Sequence, residues 1–240
     1  MFRPTIRALC LLALALAAPA SARAQISVDQ SVFEFTPENV TQDLEIRNDG
    51  DFRIYLDLKV AEIVEPGSQT PRRVELDDPR VAPMLVSPQQ LMLLPGQRKR
   101  VRLIMREPAV EVDRIFRLAV KPFTGNVELG AAQPGSTSTG IKVLLGYDIL
   151  LLSRPATLAP ELRVERTDST LAVTNTGNTN VLLRSITQCG IGGRDCVELS
   201  PNRLYAGERL ELALPKVGPA ELFPVEIVQA IGLRSSRASY

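Results

Sequence analysis

The chain has 240 residues, a formal charge of +1, three cysteines, no tryptophan and no histidine. Without histidine, Ser-His-Asp and Cys-His nucleophiles, a histidine general base and histidine-ligated metals are all excluded. The near-neutral balance gives no argument for nucleic acid or an anionic membrane as a partner.

The chain opens on a leader. Arg3 and Arg7 give a basic start, ALCLLALALAA an apolar run, and Ala22-Arg23-Ala24 small residues at the cleavage positions. This pattern predicts a secretory signal peptide over residues 1–24 and a mature chain from Gln25. The apolar run is too short to span a bilayer, and no later stretch reaches the roughly 18–20 residues that a membrane helix needs. A soluble protein outside the cytoplasm, without membrane insertion, is expected. The leader removes three of the 28 basic residues and no acid, which leaves 25 against 27 and a formal charge of −2.

Strand signals follow. Ile26–Phe35 alternates and runs into the turn TPEN. Asp43–Asn48 turns Leu44 and Ile46 inward and closes on Asn48-Asp49-Gly50, a strong turn signal. Arg53–Ile63 alternates with Ile54, Leu56, Leu58 and Val60 on one face, and Pro66–Arg73 reads as a loop. Met84–Ser87 and Gln90–Leu94 are short strands split by Pro88, which cannot donate to a central ladder. Arg98–Met105 and Arg114–Phe123 are further strands, and Asn126–Gly140, rich in glycine and small residues, reads as a loop. Seven or so short antiparallel strands separated by turns describe an immunoglobulin-like sandwich.

The segment 140–155, GIKVLLGYDILLLSRP, reads as one long strand. Ile141, Val143, Leu145, Tyr147, Ile149 and Leu151 fall on one face. At roughly 3.3 Å per residue it outruns an ordinary strand of about 17–20 Å. Part of its apolar row would then project past its own core, where it invites pairing with another chain. The competing reading is a continuous core strand with long partners.

Two prolines in Ser153–Pro160 suit a short, stiff connection. Strand signals then resume at Leu162–Glu165, Thr170–Thr174, Val181–Ile186, Val197–Leu199, Glu208–Leu214 and Pro224–Ile231. The fold expected is all-β: two immunoglobulin-like β-sandwich domains in tandem, over 25–153 and 161–240, joined by a Pro-containing hinge at 154–160. Cys10 leaves with the leader. Cys189 and Cys196, separated by the turn-rich GIGGRD, suggest a short disulfide loop, since two thiolates without histidine are poor material for a zinc site.

The carboxylate pairs Asp77-Asp78 and Glu107/Glu111 lie in loop-like sequence and read as solvated charges. No glycine-rich phosphate loop follows a strand and opens a helix. An enzyme is not expected, nor a cofactor or a metal.

A set of short motifs runs along the chain in order: Leu44-Glu45-Ile46-Arg47-Asn48-Asp49, Val86-Ser87-Pro88, Leu94-Pro95-Gly96-Gln97 and Val101-Arg102-Leu103. It continues through Asp113-Arg114 before Phe116-Arg117-Leu118-Ala119-Val120, the closing Arg154-Pro155, Asn175-Thr176-Gly177 and Leu199-Ser200-Pro201. The resemblance these motifs carry together is to the periplasmic chaperones of chaperone–usher pilus assembly. It implies a periplasmic chaperone that lends its G1 strand to a pilus subunit (pilin or tip subunit) whose own sandwich lacks a strand, then delivers it to an outer-membrane usher. Counting back from Arg154, the donor residues implied are Ile141, Val143 and Leu145, with Tyr147 as a fourth. A self-capping homo-oligomer is also compatible with an exposed donor edge.

Two departures stand out. The family anchors the subunit's terminal carboxylate with an Arg on the first strand and a Lys on G1; here the G1 position is Leu150, and residues 25–46 hold no Arg or Lys. The acid that the family places before the preceding strand reads as absent. Arg154 is the foremost candidate for carboxylate anchor or interdomain support, with Arg114, Arg117, Lys121 and Arg184 behind it. Two other readings compete. A structural pilus subunit or adhesin-like envelope protein would carry its donor segment at the mature N-terminus. A carbohydrate-binding module would call for an aromatic platform, which seven Phe and four Tyr scarcely supply.

Overall fold

The computed structural model describes residues 25–68, 70–123, 145–199, 202–231 and 234–240. The leader, Ile141 and Val143 lie outside them. Among the described residues the first half forms ten strands: β1 (Ile26–Val28), β2 (Val32–Phe35), β3 (Thr41–Asn48), β4 (Ile54–Val64), β5 (Arg72–Glu75), β6 (Met84–Ser87), β7 (Gln90–Leu93), β8 (Arg98–Met105), β9 (Arg114–Phe123) and β10 (Tyr147–Ser153). They build two facing sheets. One has the order β1-β3-β8-β6, the other β2-β10-β9-β4-β5, with β7 also on β4.

The alternation does what a pleated strand requires: inward side chains such as Leu44, Ile46, Val101, Leu103, Phe116 and Leu118 are fully buried, while Asp43, Arg100 and Arg102 between them face outward. Three expectations need correction. Ile26–Phe35 is two strands in different sheets, because Asp29-Gln30-Ser31 crosses between them, with Asp29 Oδ1 accepting from the Glu45 amide at 3.0 Å. Residues 72–75, the first two read as the end of a loop, form edge strand β5 on Ala61–Val64. The long strand is shorter than its alternation suggests: β10 begins at Tyr147, with Leu145 and Gly146 outside it. Pro88 marks a sheet switch, since β6 pairs with β8 in one sheet and β7 with β4 in the other.

The second half forms β11 (Leu162–Arg166), β12 (Thr170–Asn175), β13 (Val181–Gln188), β14 (Val197–Leu199), β15 (Asn202–Leu204), β16 (Arg209–Ala213), β17 (Val225–Ile231) and β18 (Arg234–Ser239). The sheet β11-β12-β16 faces β14-β13-β17-β18, with β15 also on β13. Strands β15 and β18 were not expected. Cys189 and Cys196 are bridged at 2.04 Å and close the β13–β14 hairpin.

Each sandwich has its own core. The first gathers Phe33, Phe35, Leu56, Phe116, Ile149 and Leu151 among others, the second Leu171, Val173, Leu183, Leu204 and Ile227. A third, small cluster lies on the outer face of the first sandwich: Ile115, Leu150 and Leu152, flanked by Val32 and Ile63 and covered by Tyr205 from the second.

Candidate functional site

Strand β10 has unequal edges. Along one it pairs antiparallel with β9 over its whole length, Tyr147 opposite Val120 and Ser153 opposite Arg114. Along the other it pairs only from Leu150 to Ser153, in parallel with Val32–Phe35 of β2, and the Leu150 amide donates to Ser31 O at 3.0 Å. Every second residue of a strand aims its N–H and C=O at the same edge, so those of Asp148 face the same way as those of Leu150. Among the described residues no strand pairs Tyr147–Ile149 there.

The side chains along this strand divide. Ile149 and Leu151 are buried in the first core, and Tyr147 packs against it with its hydroxyl donating to Ile26 O at 3.0 Å. Leu145 is 59% exposed. The structure therefore joins Tyr147 to the domain's own interior and leaves Leu145 outside, while Ile141 and Val143 lie outside the described residues.

Where β10 ends, a polar joint binds the two sandwiches. Arg154 is buried, donating from Nη1 to Asp113 Oδ2 (3.0 Å) and Thr179 Oγ1 (2.5 Å), and from Nη2 to Glu34 Oε1 (2.6 Å). The Asp113 side chain is only 2% exposed; its Oδ2 also accepts from the Thr179 hydroxyl, the Asn180 amide (2.7 Å) and Asn180 Nδ2 (2.6 Å). This overturns the absence read from the sequence: the interdomain acid is Asp113. Its amide donates to Asn178 O at 3.0 Å, which turns the carboxylate into the joint just before β9 begins. Breaking such a pair by removing one partner costs about 3–5 kcal/mol, because the other charge stays buried.

The remaining cations fall into different settings. Arg114 is held by Glu62 (2.8 and 3.0 Å) and Glu107 (2.9 Å) and lies over the Phe116 ring; the Glu62 hydrogen bonds push its pKa up despite some burial. Lys121 and Arg184 are exposed, and Arg184 sits at a bulge in β13. Arg117 projects from β9 opposite Leu150 and reaches across β10, its Nη1 lying 3.4 Å from Asp148 O on the open edge.

A further cation was missed. Arg203 of β15 donates to Asn180 Oδ1, and burial pushes its pKa down. Tyr205 and Glu34 partly offset this shift, while the neighbouring charges of Arg154 and Arg117 reinforce it. Half-buried Arg203 thus feels the like charge of Arg154 and, more weakly, that of Arg117 at the rim of the joint, and an anion there would offset the cost of its burial. The sequence offered only Asn202-Arg203-Leu204, too short and polar to read as a strand.

No family model and no curated protein matches the sequence. Solved structures do. The chain has the two-sandwich fold of fimbrial chaperones. The class 5 fimbriae chaperone CfaA is similar at TM-score 0.64 and 17% identity, over 89% of this chain and 98% of that one. The Escherichia coli chaperone DraB gives TM-score 0.60 and 17% identity, over 90% and 95%. A chain of the Salmonella enterica complex of the SafA pilin with the SafB chaperone gives 0.61 and 16%, over 92% and 98%. Likeness at these identities carries the architecture, and the open edge and its cations are argued from this chain's own residues.

Proposed function

We propose that this chain is a periplasmic chaperone that holds pilus subunits, tip subunits included, by lending them a strand, and that it hands them to an outer-membrane usher. The observation that carries this reading is the half-covered edge of β10, with Leu145 exposed at its root. A subunit sandwich that lacks a strand would gain main-chain hydrogen bonds along this edge and alternate apolar side chains in its groove. Leu145 and, continuing its alternation, Val143 and Ile141 form the donor row. Tyr147, which packs in the first core, stays with the chaperone. Each buried side chain contributes about 1.5–3 kcal/mol, enough in a row of three to hold a groove against aggregation. When no subunit is present, the same edge is open to a second copy.

A strand laid on this edge in the direction of β2 ends where β2 begins, beside Asp148 and Leu150. Its terminal carboxylate then meets Arg117 and Arg203, which take the place of the cation that Leu150 does not supply. Arg154, committed to Asp113 and Glu34, supports the joint.

Replacing Ile141, Val143 and Leu145 together with Asp is expected to leave the fold intact by circular dichroism and to abolish co-purification of subunits. Co-purification at the unmutated level rejects the donor row. Arg117→Ala and Arg203→Ala are each expected to weaken binding about tenfold for a subunit with a free terminal carboxylate and not for one that is amidated. Equal losses for both ligands reject the anchor and leave the donor row standing.

A further inference from the structure

We propose that Gly146 is the pivot at which the chain leaves β9, and that its missing side chain sets the angle at which Leu145 is presented to a strand-deficient partner. The inference rests on the chaperone reading and concerns how the donor edge is aimed. Leu145 and Tyr147 are two apart, so a regular strand would put both on the core face. They part company: Tyr147 packs inside with its hydroxyl tied to Ile26 O at 3.0 Å, and Leu145 is 59% exposed. Leu145 and Gly146 both lie outside β10, so the regular strand ends between Gly146 and Tyr147.

The close passage of the chain over β9 at this point is made possible by the lack of a Cβ. Side chains of a regular strand stand perpendicular to the sheet. A Cβ built on Gly146 would instead point along it, 2.6 Å from the Val120 carbonyl oxygen and 3.3 Å from Pro122 Cδ. Val120 is completely buried in β9, and the atom in the way is main chain, so the neighbour cannot yield. Any side chain at 146 must rotate the chain away from β9 and swing Leu145 with it. The fold loses little by this, since no core residue precedes Tyr147 on this segment until Phe116, Leu118 and Val120 of β9 among the described residues.

The test uses the mature chain and, as probe, a pilin-type subunit lacking its last strand, refolded from denaturant in the presence of chaperone. Gly146→Ala is expected to weaken capture about tenfold through loss of preorganisation, with a melting temperature within about 3 °C of the unmutated chain. Gly146→Ser is expected to match it, because the first carbon is the obstacle. Unchanged capture by a folded Gly146→Ala chain overturns the pivot and leaves the chaperone reading intact. So does restored capture by Gly146→Ser, or a chain that no longer folds, which would make Gly146 a structural residue of the sandwich. If the unmutated chain itself fails to capture the subunit, the chaperone reading falls and the inference with it.

Discussion

The two sandwiches carry the same corner, and only one of them uses it as a joint. In the first, buried Asn48 donates from Nδ2 to Phe52 O (2.8 Å) and Leu93 O (3.1 Å), and its Oδ1 accepts from the Gly50 amide (3.0 Å). In the second, buried Asn175 donates to Thr179 O (2.8 Å) and Leu204 O (3.0 Å) and accepts from the Gly177 amide (3.0 Å). Gly96 and Gly207, both at positive φ, donate to the carbonyls of Asn48 and Asn175 at 2.9 Å. Gln97 Oε1 then accepts from the Leu94 amide (3.0 Å) as Glu208 Oε2 does from that of Tyr205 (2.8 Å). The difference lies in two side chains. Leu94 is 44% exposed at a free tip, whereas Tyr205 covers the Ile115–Leu150–Leu152 cluster of the other sandwich. Glu208 lies against Gly67 of the first domain, where a Cβ would come within 2.6 Å of its own. A turn braced by its own main chain is rigid enough to serve as a bearing surface once its outer residue becomes aromatic.

The comparison breaks hardest at Asp113, for which the first corner has no counterpart. Asp113→Ala is expected to cost about 3–5 kcal/mol by urea denaturation and to widen the distribution of domain angles in small-angle scattering. The brace itself comes next. Asn48→Ala and Asn175→Ala each remove two hydrogen bonds to main-chain carbonyls and one from a glycine amide and are expected to cost about 2–3 kcal/mol; a large loss in one domain alone would show that the corners are alike in form only. Tyr205→Ala should cost about 1–2 kcal/mol and loosen the domain angle, while Leu94→Ala stays within about 0.5 kcal/mol of the unmutated chain. A change at Leu94 as large as at Tyr205 would remove the distinction drawn here.

The smallest effect is one of pH. Burial pushes the Glu208 carboxyl above the ordinary glutamate range, and the Tyr205 amide only partly offsets this. The folded state therefore holds its proton more tightly than the unfolded chain does. Stability from this group is fully present below the ordinary value and declines as pH rises toward the raised one. Glu208→Gln copies the first corner's Gln97 and should flatten that decline in melting curves taken across the mildly acidic range. An unchanged slope would place the titration elsewhere.

Strands that bury alternate side chains could be read from the sequence, as β3, β4 and β8 illustrate. Edge strands could not. Strands β5 and β18 are held by main-chain pairing to β4 and β17, so Arg72-Arg73-Val74-Glu75 and Arg234-Ser235-Ser236-Arg237 have no apolar alternation to announce them. The joint was half legible: Arg154 stood out beside Pro155, but Asp113 beside Arg114 looked like an ordinary strand entry until its carboxylate turned inward. Arg203 gave no signal, because what distinguishes it is proximity to Arg117 and Arg154 across the domain boundary, and no linear pattern encodes that.

The parallel pairing of β2 with β10 has a consequence for the order in which the first sandwich can form. Val32 meets Leu150 and Phe35 meets Ser153, so one of the first strands synthesised has no partner on this side until the last strand of its domain arrives. Contacts of such long sequence separation form late and slowly. Until then Phe33, Phe35 and the β9 face of the core are without Ile149 and Leu151. The nascent domain thus passes through the very condition it is proposed to relieve in its clients, an immunoglobulin-like sandwich open along one strand, and β10 completes it in cis before the segment that leads into it is offered to another chain.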